Sequence, residues 1–169
     1  MMNDYQKMFV LDSSVFIEAQ KRYYAFDIAP TFWKKLIELA KNGNICSIDR
    51  VKKELLKGND DLKQWAENSF DSYFHSTENN EILKVYTELM EWSNSKDQFT
   101  KEAKYEFAEG DIADAWLISY ARANNCIIAT EERFNPNKKS KILIPNVCKE
   151  FNIEYVDTFQ MLRQLKIQL

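Results

Sequence analysis

Glycine is almost missing from this chain, with three residues in 169. A loop that cradles phosphate on its backbone needs several glycines close together, so P-loop and dinucleotide-binding arrangements are excluded. Histidine occurs once, at His75, which leaves no second imidazole for a ligand pair. Cysteine occurs three times, at Cys46, Cys126 and Cys148, far apart and inside apolar runs. An odd, scattered set of that kind reads as buried free thiols in a reducing cytoplasm, not as a disulfide framework or metal set. No apolar run approaches the length of a membrane span, and the start, Met1 to Lys7, is polar, so neither a signal peptide nor an anchor is expected. There is no excess of positive charge either. The net charge is −3, so any contact with nucleic acid has to come from local basic patches or bound cations.

The remainder is rich in core-forming residues, with 45% hydrophobic and 14% aromatic side chains. This length and composition fit one globular domain, 1–169, with a sizeable core. Short apolar runs alternate with helical patterns. Met8–Leu11 reads as a buried strand, followed by a helix from Val15 to Gln20 capped by Ser13 or Ser14. Thr31–Asn42 carries Phe32, Trp33, Leu36 and Leu39 on one face, and Gly43 is a natural stop. Ile45–Ile48 is a second strand, and Asp49 is placed to cap a helix from Arg50 to Lys57. Residues 60–108 read as a helical insertion, with Thr77 opening one of its helices and His75 as a surface or capping residue. A helix then opens at Asp111 and Asp114, and Ile127–Thr130 forms a strand. Ile142–Ile144 is a short strand or extended link, and Pro145 starts a helix running from Asn146 to Phe151. Ile153–Asp157 is a last strand, and Thr158 caps the final helix. Strands alternating with helices predict a parallel sheet with right-handed crossovers.

The carboxylates carry the functional signal. In open parallel sheets ligands bind beyond the carboxyl ends of the strands. That rule puts Asp12 and the pair Glu131–Glu132 at one edge, each just past a strand. Asp111 and Asp114, three apart, share a helix face at the same edge. Glu54 sits about one turn into its helix, on the apolar side. Singly, each acid has an ordinary explanation: Asp111 as an N-cap, Asp114 as a first-turn acid, Glu54 as a solvated helix residue. Together, acids from four segments would repel one another unless a cation held them. Oxygen-only ligands favour Mg²⁺ or Mn²⁺ over zinc. Such ions acidify bound water, and a pair about 4 Å apart clamps both oxygens of a phosphodiester displacement. Basic groups that could meet phosphate are Lys21 and Arg22, beside Tyr23 and Tyr24, and Arg133, Lys138 and Lys139 in the loop after the strand. In each case a solvated surface is the plain alternative.

Four segments then resemble a known family. Val10-Leu11-Asp12-Ser13-Ser14-Val15-Phe16-Ile17 resembles the opening of PIN-domain nucleases, and Glu54-Leu55-Leu56-Lys57-Gly58 resembles their second motif. Asp114-Ala115-Trp116-Leu117-Ile118-Ser119-Tyr120-Ala121 is similar to the third, and Ile127-Ile128-Ala129-Thr130-Glu131-Glu132 to the fourth. Order and spacing agree from Val10 to Phe159. The resemblance implies a three-layer α/β/α sandwich around a mostly parallel sheet. It also implies Mg²⁺ or Mn²⁺ and metal-dependent cleavage of RNA. Many relatives are toxins of toxin–antitoxin pairs, often dimeric and held by a protein antitoxin. Carried over by position, Asp12, Glu54, Asp114 and Glu132 become the catalytic acids. Asp12, Glu54, Asp111, Asp114 and Glu131 become metal ligands or their supports, with Ser13 and Thr130 hydrogen-bonding to them. The fourth acid is usually Asp or Asn in relatives; here Glu131 and Glu132 both offer a longer side chain. Asp111 has no family slot, and the insertion departs from the compact pattern. A non-catalytic PIN-like module that binds RNA or protein is the second reading. A receiver-type phosphotransfer domain is the third, opposed by the absence of an acid directly before Asp12.

Overall fold

A computed structural model describes residues 6–169; the first five residues of the polar start lie outside it. Five strands form one sheet: β1 (Phe9–Leu11), β2 (Ile45–Ile48), β3 (Phe74–His75), β4 (Ile127–Ala129) and β5 (Tyr155–Val156), in the order β3-β2-β1-β4-β5. Every pairing is parallel, with Val10 opposite Cys46 on one side and Ile128 on the other. All residues of β1, β2 and β4 are buried, which explains their unbroken apolar sequences: a parallel strand covered on both faces has no polar side.

The helices are α1 (Ser13–Lys21), α2 (Pro30–Lys41), α3 (Asp49–Leu56), α4 (Asp61–Asn68), α5 (Asn80–Ser95), α6 (Lys101–Ala108), α7 (Asp114–Asn124), α8 (Ile144–Phe151) and α9 (Thr158–Gln164). α1, α3 and α4 pack together, as do α5, α6, α7 and α8 in contacts centred on α7. Right-handed crossovers from β1 to β3 and then back through β4 to β5 put these groups on opposite faces. The result is the expected three-layer sandwich. Under the first layer Phe70 is fully buried, with the rings of Trp65, Phe74, Tyr73 and Phe16 at centroid distances of 5.0, 5.0, 5.4 and 5.6 Å.

Several local expectations are corrected. The insertion is not purely helical: β3 extends the sheet, and its His75 Nδ1 lies 2.7 Å from the Tyr120 hydroxyl, half-buried instead of at the surface. A two-residue strand is too short to leave a period in the sequence. Asp49 does not cap its own helix; its carboxylate accepts from the Thr77 N–H and hydroxyl at 3.1 and 2.9 Å. α5 is capped by Asn79, not Thr77, and α9 by Asp157, not Thr158, through a reciprocal capping box with Gln160. Residues 142–143 are an extended link, and Ile144 already begins α8. Gly43, at φ +76°, ends α2 in the left-handed region, as its sequence position suggests. Among the described residues no helix is long and apolar enough to cross a membrane. All three cysteines are free and buried.

Candidate active site

Because all strands run the same way, their carboxyl ends share one edge. Asp12 follows β1 directly and is 3% exposed. Its Oδ2 accepts from the Ser14 hydroxyl at 2.7 Å and from the Thr130 hydroxyl at 2.9 Å. The Ser13 hydroxyl stands at 3.5 Å from Oδ1, at the limit of a useful bond. Ser14, not Ser13, is therefore the hydroxyl that fixes Asp12. α1 begins at Ser13, and one step along a helix turns the Ser14 side chain toward β4. Ser14 Oγ also accepts the Glu131 N–H at 3.0 Å, and Thr130 Oγ1 accepts the Glu132 N–H at 3.1 Å. These two hydroxyls tie the ends of β1 and β4 together around one buried carboxylate.

Asp12, Glu54, Asp114 and Glu132 line one cavity of ≈ 410 Å³, with Asp111 and Glu106 also on its wall. Asp114 is the first residue of α7, where the positive end of the helix dipole favours an acid. Glu54 Oε1 accepts the Ala113 N–H at 2.9 Å, linking α3 to the start of α7. Glu132 Oε2 accepts the Ile144 N–H at 2.8 Å, at the start of α8. Each of these two carboxylates satisfies a helix terminus with one oxygen; the second oxygen of Glu132 is taken by the Lys141 ammonium at 3.1 Å, while that of Glu54 has no hydrogen-bond partner among the described residues. The Asp12 carboxyl is raised from its usual 3.8 to about 6, chiefly by burial, with the Glu132 and Glu54 charges adding to the rise and the Ser14 and Thr130 hydroxyls opposing it. Asp114 is also raised well above the ordinary range, first by burial and then by the charges of Asp12 and Glu132. Two carboxyls held back from ionisation at the end of a sheet are the electrostatic signature of a candidate site, and each would be eased by a nearby positive charge.

Part of that charge is internal. The Lys141 ammonium lies 3.1 Å from Glu132 and 4.0 Å from Asp114. Burial lowers its proton affinity, but these two acids more than reverse the effect, and the ammonium is held above its ordinary value. The sequence places Lys141 only in a polar basic loop. Lys138 and Lys139 line no cavity with the acids; their carbonyls accept from the Gln98 side chain and the Thr100 N–H. Neither Lys141 nor Glu106 of α6 has a sequence signal, because each arrives through a long connection.

Other expected site residues lie elsewhere. Glu131 Oε1 is held by the N–H and hydroxyl of Thr158 at 3.1 and 2.5 Å, at the start of α9, away from the acid cavity. Of the two neighbouring glutamates, only Glu132 enters it. Asp111 precedes α7 and does not cap it; it is exposed on the cavity rim. Arg22 is exposed and paired with Glu18 at 2.7 Å, Lys21 is exposed, and Arg22 and Arg133 line an adjoining cavity.

The donor set is all oxygen, which suits a hard divalent cation and not zinc. Among the described residues no group of three His, Cys, Asp or Glu side chains is arranged to hold a metal ion. Mg²⁺ asks for less than that: it is commonly bound through one or two carboxylates and keeps its remaining waters. The spare oxygens of Asp12, Asp114 and Glu54 fit that requirement, and Glu132 joins them only by exchanging Lys141 for the ion.

A family model described as "Domain of unknown function (DUF4411)" matches residues 9–169. No curated protein matches the chain in sequence. Among solved structures, VapBC2 from Rickettsia felis, bound to a DNA fragment from their promoter, matches with a TM-score of 0.52 at 18% identity, covering 89% of this chain and 98% of that one. VapBC-1 from nontypeable Haemophilus influenzae matches with a TM-score of 0.48 at 14% identity, covering 89% and 97%. The first likeness, with the all-parallel three-layer architecture, shows a PIN-like fold. The family match covers nearly the whole chain, so the chain belongs to the DUF4411 family.

Proposed function

We propose that this DUF4411 protein is a metal-dependent endoribonuclease acting through the Asp12, Glu54, Asp114 and Glu132 cavity, and that it is the toxin of a toxin–antitoxin pair. The observation that carries the first half is the meeting of four acids from four separate segments on one cavity, with Asp12 buried and reluctant to ionise. An enzyme that merely needed stability would not bury two repelling carboxylates there. The second half is supported by the PIN-like fold and its likeness to the Rickettsia felis complex, a toxin–antitoxin pair. The partners are then an RNA substrate, a protein antitoxin and a second copy of the chain as a homodimer, in the cytoplasm.

Mg²⁺ or Mn²⁺, bound there, would supply neutralising charge and polarise water and a phosphate oxygen. The chain's own residues do the positioning. Ser14 and Thr130 hold Oδ2 of Asp12 and leave Oδ1 with at most one weak donor. Glu54 is fixed by the α7 N-terminus and so presents its free oxygen without rotational loss, while Glu132 is held between the α8 N-terminus and Lys141. The Lys141 ammonium offsets negative charge at the wall where a polyanion would enter. Arg133 stands on the neighbouring surface to meet phosphate.

RNA incubated with Mn²⁺ is expected to be cut by the wild type, and not in EDTA or by Asp12→Asn. Cleavage that survives either change rejects the mechanism. A second reading, a non-catalytic module that binds RNA or protein, is favoured by one observation: Glu54 and Glu132 each serve a helix terminus, and Lys141 already lies among the acids. RNA binding with no cleavage in Mn²⁺ would select it.

A further inference from the structure

A larger cavity, ≈ 490 Å³, adjoins the carboxylate cavity and shares Ser14, Glu18 and Glu132 with it as a common wall. Its other walls hold two aromatic rings that the fold leaves uncovered. Tyr23, just past α1, is 67% exposed, and Phe159 of α9 is 43% exposed. Their ring centroids are 6.0 Å apart at 58°, and among the described residues neither has another aromatic neighbour. The next residue, Tyr24, behaves differently: it stacks on Phe32 at 4.3 Å, half-buried. Core packing therefore accounts for Tyr24 and leaves Tyr23 unexplained.

The charges around the rings are settled unevenly. Glu18 is paired with Arg22. Glu131 accepts from Thr158 and Asp157 from the N–H of Gln160, which fixes both carboxylates without cancelling their charge, so a phosphate here depends on Arg133. Arg133 has no ion-pair partner among the described residues. The cavity thus offers two aromatic faces and a free cation, one wall away from the acids. Its size falls in the roughly 300–1,000 Å³ range of small-ligand sites, enough for a nucleotide unit.

We propose that this cavity is a base-stacking subsite for the nucleotide next to the scissile phosphate, with Tyr23 and Phe159 as stacking faces and Arg133 on the adjacent phosphate. The assignment rests on the ribonuclease reading above. Stacking on aromatic rings tolerates any base, so the subsite selects single-stranded over paired RNA and not one sequence.

The test uses the full chain carrying Asp12→Asn and a fluorescent single-stranded RNA, intact or with one abasic nucleotide stepped along it. Adding Tyr23→Ala is expected to weaken binding of intact RNA about 5- to 150-fold, the range for one stacked base. At one abasic position the background protein loses a similar factor, and Tyr23→Ala adds little to it. Phe159→Ala behaves likewise, whereas Leu83→Ala, an exposed apolar side chain on α5, changes nothing. Equal losses on intact and abasic RNA, or no loss, overturn the subsite and leave the groove to a protein segment. The parent reading is tested separately: Mn²⁺-dependent cleavage lost in Asp12→Asn, with an unchanged KM in Tyr23→Ala, overturns the subsite alone. Absence of any RNA cleavage or binding by the wild type overturns both.

Discussion

Asp12→Asn is expected to stabilise the metal-free protein, although it removes the residue at the centre of the proposed chemistry. The carboxyl titrates at 3.8 in the unfolded chain and at about 6 in the fold. Below pH 3.8 it is protonated in both states and costs nothing. As pH rises, the unfolded chain releases the proton first, so the folded state loses ground until pH passes about 6. Above that the penalty is constant, at about 3 kcal/mol from the size of the shift. Asparagine has no charge to bury and keeps an oxygen to accept from Ser14 or Thr130, but loses the charge-assisted part of those bonds, about 1 kcal/mol. The net gain is about 1–2 kcal/mol at pH 7.5, or a Tm rise of roughly 2–8 °C in a domain of this size. Thermal unfolding by circular dichroism in EDTA, from pH 4 to 8, reads it directly. The gain should vanish near pH 4, grow through pH 6 and then level off. In Mn²⁺ the order should reverse, because only the wild type would gain binding energy from the ion. A variant that is no more stable than wild type at pH 7.5 in EDTA, at every pH alike, refutes the buried-charge argument.

Thr130→Val keeps the shape and removes one donor to Asp12; RNA cleavage in Mn²⁺ should fall about 10- to 100-fold, as is usual when a ligand's support is lost. Lys141→Met leaves Asp114 and Glu132 facing each other without their cation, so metal-free Tm should drop while the Tm gain on adding Mn²⁺ increases. Phe70→Ala empties the centre of the aromatic cluster and should cost about 3–5 kcal/mol in urea unfolding, with no change in slope. Asp157→Ala removes the capping box of α9 and should cost about 1 kcal/mol by the same assay.

Two kinds of residue are legible in the sequence alone. The strands β1, β2 and β4 announce themselves because burial on both faces of a parallel sheet forces unbroken apolar runs. Asp12 and one of the pair Glu131–Glu132 announce themselves because they stand just past such runs, and Asp114 because it heads a helix that returns to the same edge. Chain direction alone brings these three to one end of the sheet. The order of motifs therefore sufficed for the sheet, its parallel sense and the acids' common edge.

The finer assignments needed the packed molecule. Which of two adjacent glutamates enters the cavity depends on α9, whose N-terminus captures Glu131 through Thr158. Whether Ser13 or Ser14 holds Asp12 depends on where α1 starts relative to β4, a matter of one residue. Lys141 and Glu106 reach the acids from a loop and from α6, across separations that leave no local pattern. β3 is two residues long, below the length at which periodicity exists. Local sequence sets which way a strand or helix runs and which residue caps it. Contacts between side chains far apart in the chain are set only when the layers close, because only then do burial and charge choose among neighbours of the same kind.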